Sequence, residues 1–169
     1  MILRRFREAD AAVICKWLRT EKELYQWSAD RFNKYPLTAE DIRENYLPQM
    51  QSGRFIPLCA EDDAGHLTGH FIIRYPNDDK TSVRFGFVIL DPERRGQGLG
   101  QEMLRHGMQY ARETLRAARI DLGVFANNAP AKRCYEALGF REYQRRSCEM
   151  PIGTWECIDM EISLKDTSA

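Results

Sequence analysis

The chain has 169 residues, of which 43% are hydrophobic and 30% charged, an ordinary globular composition that supports one buried core and is not that of a disordered chain. Lysine plus arginine balances aspartate plus glutamate at 25 each, so net charge offers no electrostatic case for nucleic acid or a membrane surface as a partner. No apolar run approaches the ~20 residues of a membrane span, and Met1 to Arg7, with Arg4, Arg5 and Arg7, lacks the apolar stretch and cleavage site of a secretory leader.

The five cysteines (Cys15, Cys59, Cys134, Cys148, Cys157) are odd in number and widely spaced, without a CxxC pair. Neither a disulfide framework nor a zinc site is expected, and His66, His70 and His106 form no ligand cluster. The expectation is a metal-free, reduced, cytoplasmic protein with mostly buried thiols. With no repeat, low-complexity tract or Gly/Ser linker, residues 1–169 read as a single domain.

In chain order, Met1-Ile2-Leu3 predicts a short strand, and Val13, Ile14, Trp17 and Leu18 recur at helical spacing after Asp10. Glu21 to Tyr35 is rich in aromatics (Tyr25, Trp27, Phe32, Tyr35) without a clean period, and its type stays open. Thr38 followed by Asp41 resembles a capping signal for a helix that Pro48 is expected to end. Three strand-like runs follow, Phe55 to Ala60, Leu67 to Tyr75 and Val83 to Leu90, separated by Asp/Gly/Pro/Asn turns. Leu99, Met103, Leu104, Met108, Ala111 and Leu115 make one apolar helix face between about Gly98 and Arg116. Then come a strand, Ile120 to Phe125, and a helix, Ala129 to Leu138, with Gly139 placed as its left-handed cap. Phe140 to Met150 and Thr154 to Leu164 close the chain as strands.

This order is β, two helices, three strands, helix, strand, helix, two strands. Short turns make the three strands an antiparallel meander, and the step across the Gly98 helix makes one parallel crossover. The expected fold is therefore α/β (α+β): a mixed, mostly antiparallel sheet of about seven strands with helices on both faces.

The segment from Val88 to Gly100 carries the first chemical signal. A strand runs through a turn with glycines at 96, 98 and 100 into the strongest helix. Glycines let successive N–H groups converge, and a helix start adds unpaired donors and a positive dipole end. The result suits a pyrophosphate, with Arg94 and Arg95 at the rim. Taken alone, the same glycines could serve only close packing. A dinucleotide fingerprint needs GxGxxG after the first strand of a βαβ unit, and a P-loop needs Gly-Lys-Ser/Thr; neither is present.

Arg95-Gly96-Gln97-Gly98-Leu99-Gly100, following Leu90-Asp91-Pro92, resembles the Arg/Gln-x-x-Gly-x-Gly/Ala motif of the GNAT N-acetyltransferase superfamily. One strand later, Asn128 to Phe140 is similar to that family's Asn-x-x-Ala-x-x-x-Tyr-x-x-x-Gly-Phe motif. The resemblance is clear over Val83 to Phe140. It implies that backbone groups of Val88, Ile89 and Leu90 meet the pantetheine arm of acetyl-CoA. Amides of Arg95, Gly96, Gln97, Gly98, Leu99, Gly100 and Gln101 would hold its pyrophosphate, and Asn128 would contact it too. Asn128 is also a natural N-cap with Pro130 in the first turn, and both roles stand side by side. Tyr135 takes the place of the general acid that protonates the departing thiolate, although it also shares an apolar face with Ala131, Cys134 and Leu138.

The acceptor side is less defined. Many relatives place a Glu base on the central strands, where this sequence has Arg84 and Gly123. A water relay, or an amine bound neutral, then replaces a direct side-chain base. Glu61, Asp121, Asp159 and Glu161 read as solvated strand-edge charges, and His70 is the one histidine worth testing as a base. Cys134 falls on the apolar helix face, against an acyl-enzyme route. The resemblance thus implies direct acetyl transfer to a primary amine, on a small molecule or a peptide, by a protein for which a homodimer stays open. A protein N-terminus, a polyamine, an amino acid and an aminoglycoside-like antibiotic all remain open as acceptors. The alternative is an acyl-CoA-binding module that has lost catalysis.

Overall fold

The computed structural model describes residues 1–165. Its strands are β1 (Ile2–Arg5), β2 (Phe55–Glu61), β3 (Leu67–Arg74), β4 (Ser82–Leu90), β5 (Arg119–Phe125), β6 (Arg141–Met150) and β7 (Gly153–Ser163). Its α-helices are α1 (Asp10–Trp17), α2 (Glu21–Ser28), α3 (Ala39–Gln51), α4 (Leu99–Glu113) and α5 (Ala129–Ala137). The seven strands form one sheet in the order β1-β2-β3-β4-β5-β7-β6, and β4 with β5 is the parallel pair. The mixed, mostly antiparallel sheet expected from the element order is therefore present. Two apolar clusters cover it. Ile14, Leu24 and Tyr46 of α1–α3 pack in one, and Met103, Leu104, Ala111 and Tyr135 of α4 and α5 in the other. No helix among the described residues is long and apolar enough to cross a membrane.

Three helices, rather than two, precede β2. The open segment from Glu21 contains α2, whose start Thr20 caps by accepting the Glu23 N–H at 3.1 Å. Its aromatics lack a period because they serve different surroundings: Tyr25 and Trp27 are both buried in the core, but Trp27 also lines the cavities described below. The Thr38–Asp41 capping box forms as expected. Pro48 does not end α3, which runs three residues further. Pro48 and Glu44, whose carbonyl loses a helical donor, are both exposed residues, so the break falls on the outer side of the helix. The fully buried Ile42 and Tyr46 hold the helix to the sheet regardless. The α4 helix stops at Glu113 because Arg116 turns left-handed, and Gly139, at φ 102°, follows α5 as expected.

Two features of β4 create the site. Its register against β3 shifts beside Phe87, a bulged residue with φ 49°. Its pairing with β5 is confined to Ser82–Arg84 against Arg119–Asp121. Beyond that point the strands diverge, and β5 continues paired with β7 alone.

Candidate active site at the divergence of β4 and β5

A cleft of about 820 Å³ opens where β4 leaves β5. It is lined by Val88, Ile89 and Leu90 of β4, by the loop and first turn of α4, and by the start and inner face of α5. The β4 residues pair with β3 on one edge, Leu90 with Gly69 and Ile89 with His70, and have no strand beside the other. Peptide groups on such an open edge seek partners, which an extended ligand with amide groups can supply.

The loop glycines divide into two kinds. Gly96 and Gly98 have φ of 79° and 77°, and a Cβ at either would meet nothing within 4 Å. They are required by backbone conformation, which turns the chain into the first turn of α4, whose residues Leu99, Gly100 and Gln101 line the cleft. Gly100 is different: a Cβ there would lie 3.3 Å from Leu90 Cδ1 and 3.6 Å from Cys134 Sγ. It lets α4 approach β4 and α5 closely. Glu102 N–H is the first to bond back into the helix, to Gly98 O at 3.1 Å, leaving the amides of Leu99, Gly100 and Gln101 as free donors among the described residues. Arg95, Leu99 and Gln101 line the cleft, whereas Gln97 is exposed on the loop and does not. Arg94 is also turned away from it, its guanidinium 2.6 Å from the Asp62 carboxylate. With the His66 amide and that guanidinium around it, Asp62 is held down to about 2.

Asn128 occupies the N-cap position of α5, with Pro130 in the first turn, but its side chain caps nothing. It lines the cleft instead, beside Asn127, whose amide oxygen accepts from Gln26 Nε2 at 3.0 Å. The capping role is therefore not observed; φ −112° and ψ 65° at Asn128 depart from the extended cap geometry. Tyr135 is buried at 6% exposure and lines the cleft, and its hydroxyl takes no protein partner among the described residues. Burial pushes its phenol well above the usual range. Burial also raises the Cys134 thiol, which keeps that cysteine a poor nucleophile.

A second cavity of about 590 Å³ shares Gln26 and Trp27 with the first. Trp27 is fixed there by its Nε1–H, which donates to the bulged Phe87 carbonyl at 2.8 Å, and by Phe32 stacked at 5.9 Å. The wall holds a charge network that sequence reasoning missed. Arg84 Nη1 donates to Asp121 Oδ2 at 2.9 Å and Nη2 to Asp159 Oδ1 at 3.1 Å. Arg146 and the Tyr143 hydroxyl also donate, to Asp159 and Asp121 respectively. Asp121 and Asp159 are 7% and 5% exposed, so they are buried, paired carboxylates rather than solvated edge charges. Glu61 and Glu161 also have partners, Arg4 and Arg119. The signal available in sequence was weak, because Arg84 lies 37 and 75 positions from its two carboxylates.

His70 cannot serve as the base. It is fully buried, lines neither cavity, and is held between the Leu58 carbonyl and the Tyr46 hydroxyl, each at 2.8 Å. Desolvation lowers it to about 4, so the ring is neutral at neutral pH.

The model of the acetyltransferase (GNAT) family matches residues 19–140. Mycothiol acetyltransferase of Salinispora arenicola is 35% identical over 89 residues, 51% of this chain and 29% of that protein. Spermine/spermidine N(1)-acetyltransferase of Bacillus subtilis is 35% identical over 68 residues, 40% of this chain and 45% of that protein. The chain thus spans less than half the length of either relative. In fold it is similar to the spermidine N-acetyltransferase of Vibrio cholerae solved with CoA and spermine, at 22% identity, TM-score 0.80 and coverage of 96% and 94% of the two chains. With a family model matched across both glycine-loop and α5 motifs, the chain belongs to the acetyltransferase (GNAT) family.

Proposed function

We propose that this protein is an acetyl-CoA-dependent N-acetyltransferase that passes the acetyl group directly to a primary amine. The observation that carries the reading is the pair of cavities joined at Gln26 and Trp27. One has the amide cradle, the open β4 edge and Tyr135; the other is a separate polar chamber. Elements from α2 to β7 contribute, which supports reading residues 1–169 as one catalytic domain.

The amides after Gly96 and Gly98 suit the pyrophosphate of coenzyme A, with Arg95 at the rim. Backbone groups of Val88, Ile89 and Leu90 orient the pantetheine arm, and Asn128 adds a polar contact. The donor supplies an activated thioester; the protein supplies position and a proton. Tyr135 is kept protonated by burial and gives its phenolic proton to the departing sulfur. Neither Arg84 nor Gly123 can take a proton from the amine, which therefore arrives neutral or loses its proton through water.

Calorimetry with CoA and a thiol-release assay over a broad set of primary amines test this reading. CoA binding with turnover of at least one amine is expected. Failure to bind CoA overturns the donor assignment. Binding without turnover across the set would leave a non-catalytic acyl-CoA-binding module.

A further inference from the structure

The 590 Å³ cavity is lined by four arginines, Arg31, Arg74, Arg84 and Arg146. Arg84 and Arg146 are matched by Asp121 and Asp159. Arg31 and Arg74 form no ion pair with a carboxylate among the described residues, although ion pairs are frequent elsewhere in the chain. Arg74 ends β3, half-buried, and lies directly opposite Arg84 in the β3–β4 register. Like charges facing each other across a sheet are unfavourable. The arrangement is worse for Arg74 than for Arg84, since Arg84 has two carboxylates in hydrogen-bond contact and Arg74 has none among the described residues. Burial first, and then the nearby Arg31 and Arg84 charges, lower Arg74, and the Asp121 charge offsets them only in part. A half-buried arginine opposite Arg84, with the exposed Arg31 on the same cavity wall, is a poor structural element but a good receptor for a planar anion.

The remaining carboxylates of the wall, Asp30 and Glu149, are exposed, and Glu149 accepts the Thr154 hydroxyl at 2.9 Å. They offer a positive ammonium group a partner in the same chamber. We infer that the acceptor is a primary amine carrying a carboxylate, whose anionic end is held by Arg74 and Arg31 while its nitrogen reaches the junction at Trp27. This rests on the acetyltransferase reading above and narrows it to acidic or zwitterionic amines. A polyamine, in contrast, would meet Asp30 and Glu149 but leave Arg74 and Arg31 without a counter-charge. The carboxylate can come from a free amino acid or from a short peptide with an acidic first residue, and the chemistry at Arg74 is the same for both.

The test uses the full chain, with CoA binding measured first and separately, so that loss of the donor reading is recognised on its own. Thiol release is then followed with matched pairs: free amino acids against their carboxamides, glutamate-first tripeptides against glutamine-first ones, and spermidine. The acid of a pair is expected to exceed its amide by about tenfold or more in kcat/KM, the loss of one charge-assisted contact. The pair that shows the preference identifies the source as free amino acid or peptide. Arg74→Gln is expected to raise KM for the acid about tenfold while leaving CoA affinity as it was, and Arg74→Lys to recover part of it. Equal or better use of the amide or of spermidine overturns the inference. So does CoA binding without turnover or saturable binding of any acid. The pair comparison in the unaltered protein decides the matter even where the Arg74 variants fold poorly.

Discussion

Gly123 and Arg84 form a steric pair: a Cβ on residue 123 would lie 2.8 Å from Arg84 Nη2, with Asp159 Oδ1 and Cys157 Sγ at 3.4 Å. The glycine is the space through which the guanidinium crosses from β4 to reach Asp159 on β7. The two positions where the family resemblance implies a Glu are thus coupled here as one arginine and the gap it needs.

That coupling predicts unequal costs. Gly123→Ala pushes the tip of Arg84 off Asp159 and is expected to cost about 1–2 kcal/mol, since a charged hydrogen bond is weakened but not abolished. Arg84→Met leaves Asp121 and Asp159 buried, with Asp121 Oδ1 already lacking a donor. Breaking such a buried pair costs about 3–5 kcal/mol. Urea unfolding of both variants checks the order; equal losses would show that the network contributes no more than packing.

Tyr135→Phe removes a hydroxyl that no protein group depends on among the described residues, so stability and CoA affinity should hold. With Tyr135 as the acid, kcat should fall by about 10²–10⁴. Burial raises the folded-state phenol, so its proton stays in place as pH rises through the ordinary value of 10.0. Any alkaline loss of kcat due to Tyr135 must therefore begin above that value. By linkage, the stability this group contributes is fully present below the unfolded value and is lost as pH rises towards the folded one. A Phe variant with unchanged kcat contradicts the role, whereas an alkaline limb near neutrality that disappears in the variant contradicts the raised phenol.

The loop glycines predict different responses to the same change. Gly98→Ala meets no neighbour but must hold φ 77°, which costs a side-chain-bearing residue about 1–2 kcal/mol and shifts the amides that face the cleft. CoA affinity should drop, and Gly98→Asn, which tolerates left-handed backbone better, should recover part of it. Gly100→Ala has ordinary helical backbone and a 3.3 Å approach to Leu90, so its effect on CoA affinity should be the smaller. Calorimetric titration of the three variants decides the order.

What was legible in the sequence was what repeats locally. Glycines at 96, 98 and 100 announced a turn into a helix, and the apolar period of α4 located that helix within a few residues. Tyr135 shares the apolar face of α5 and is buried there, so its packing and its proposed chemistry were both visible. What was hidden depends on partners distant in the chain. Asp121 and Asp159 look like edge charges until β5 and β7 place both beside Arg84. Asn128 has the identity and position of a cap, yet its backbone angles turn the side chain elsewhere. Trp27 belongs to no apolar period because its neighbours, Phe87 and Phe32, come from other segments.

His70 provides a further test, this time of acid stability. The ring is buried neutral, with a folded value of about 4 against 6.5 when exposed. Below 6.5 the unfolded chain takes up a proton that the folded chain refuses, so stability falls as pH drops from 6.5 towards 4 and is flat above 6.5. The full shift corresponds to a loss of up to about 3 kcal/mol. His70→Gln should flatten that slope while lowering stability at pH 7, because Tyr46 and Leu58 lose a matched ring between them. Since His70 lines neither cavity, the pH profile of kcat should not move. Unfolding curves between pH 4 and 7, paired with kinetics over the same range, separate the two; a shifted kinetic profile with an unchanged stability slope would return His70 to the reaction.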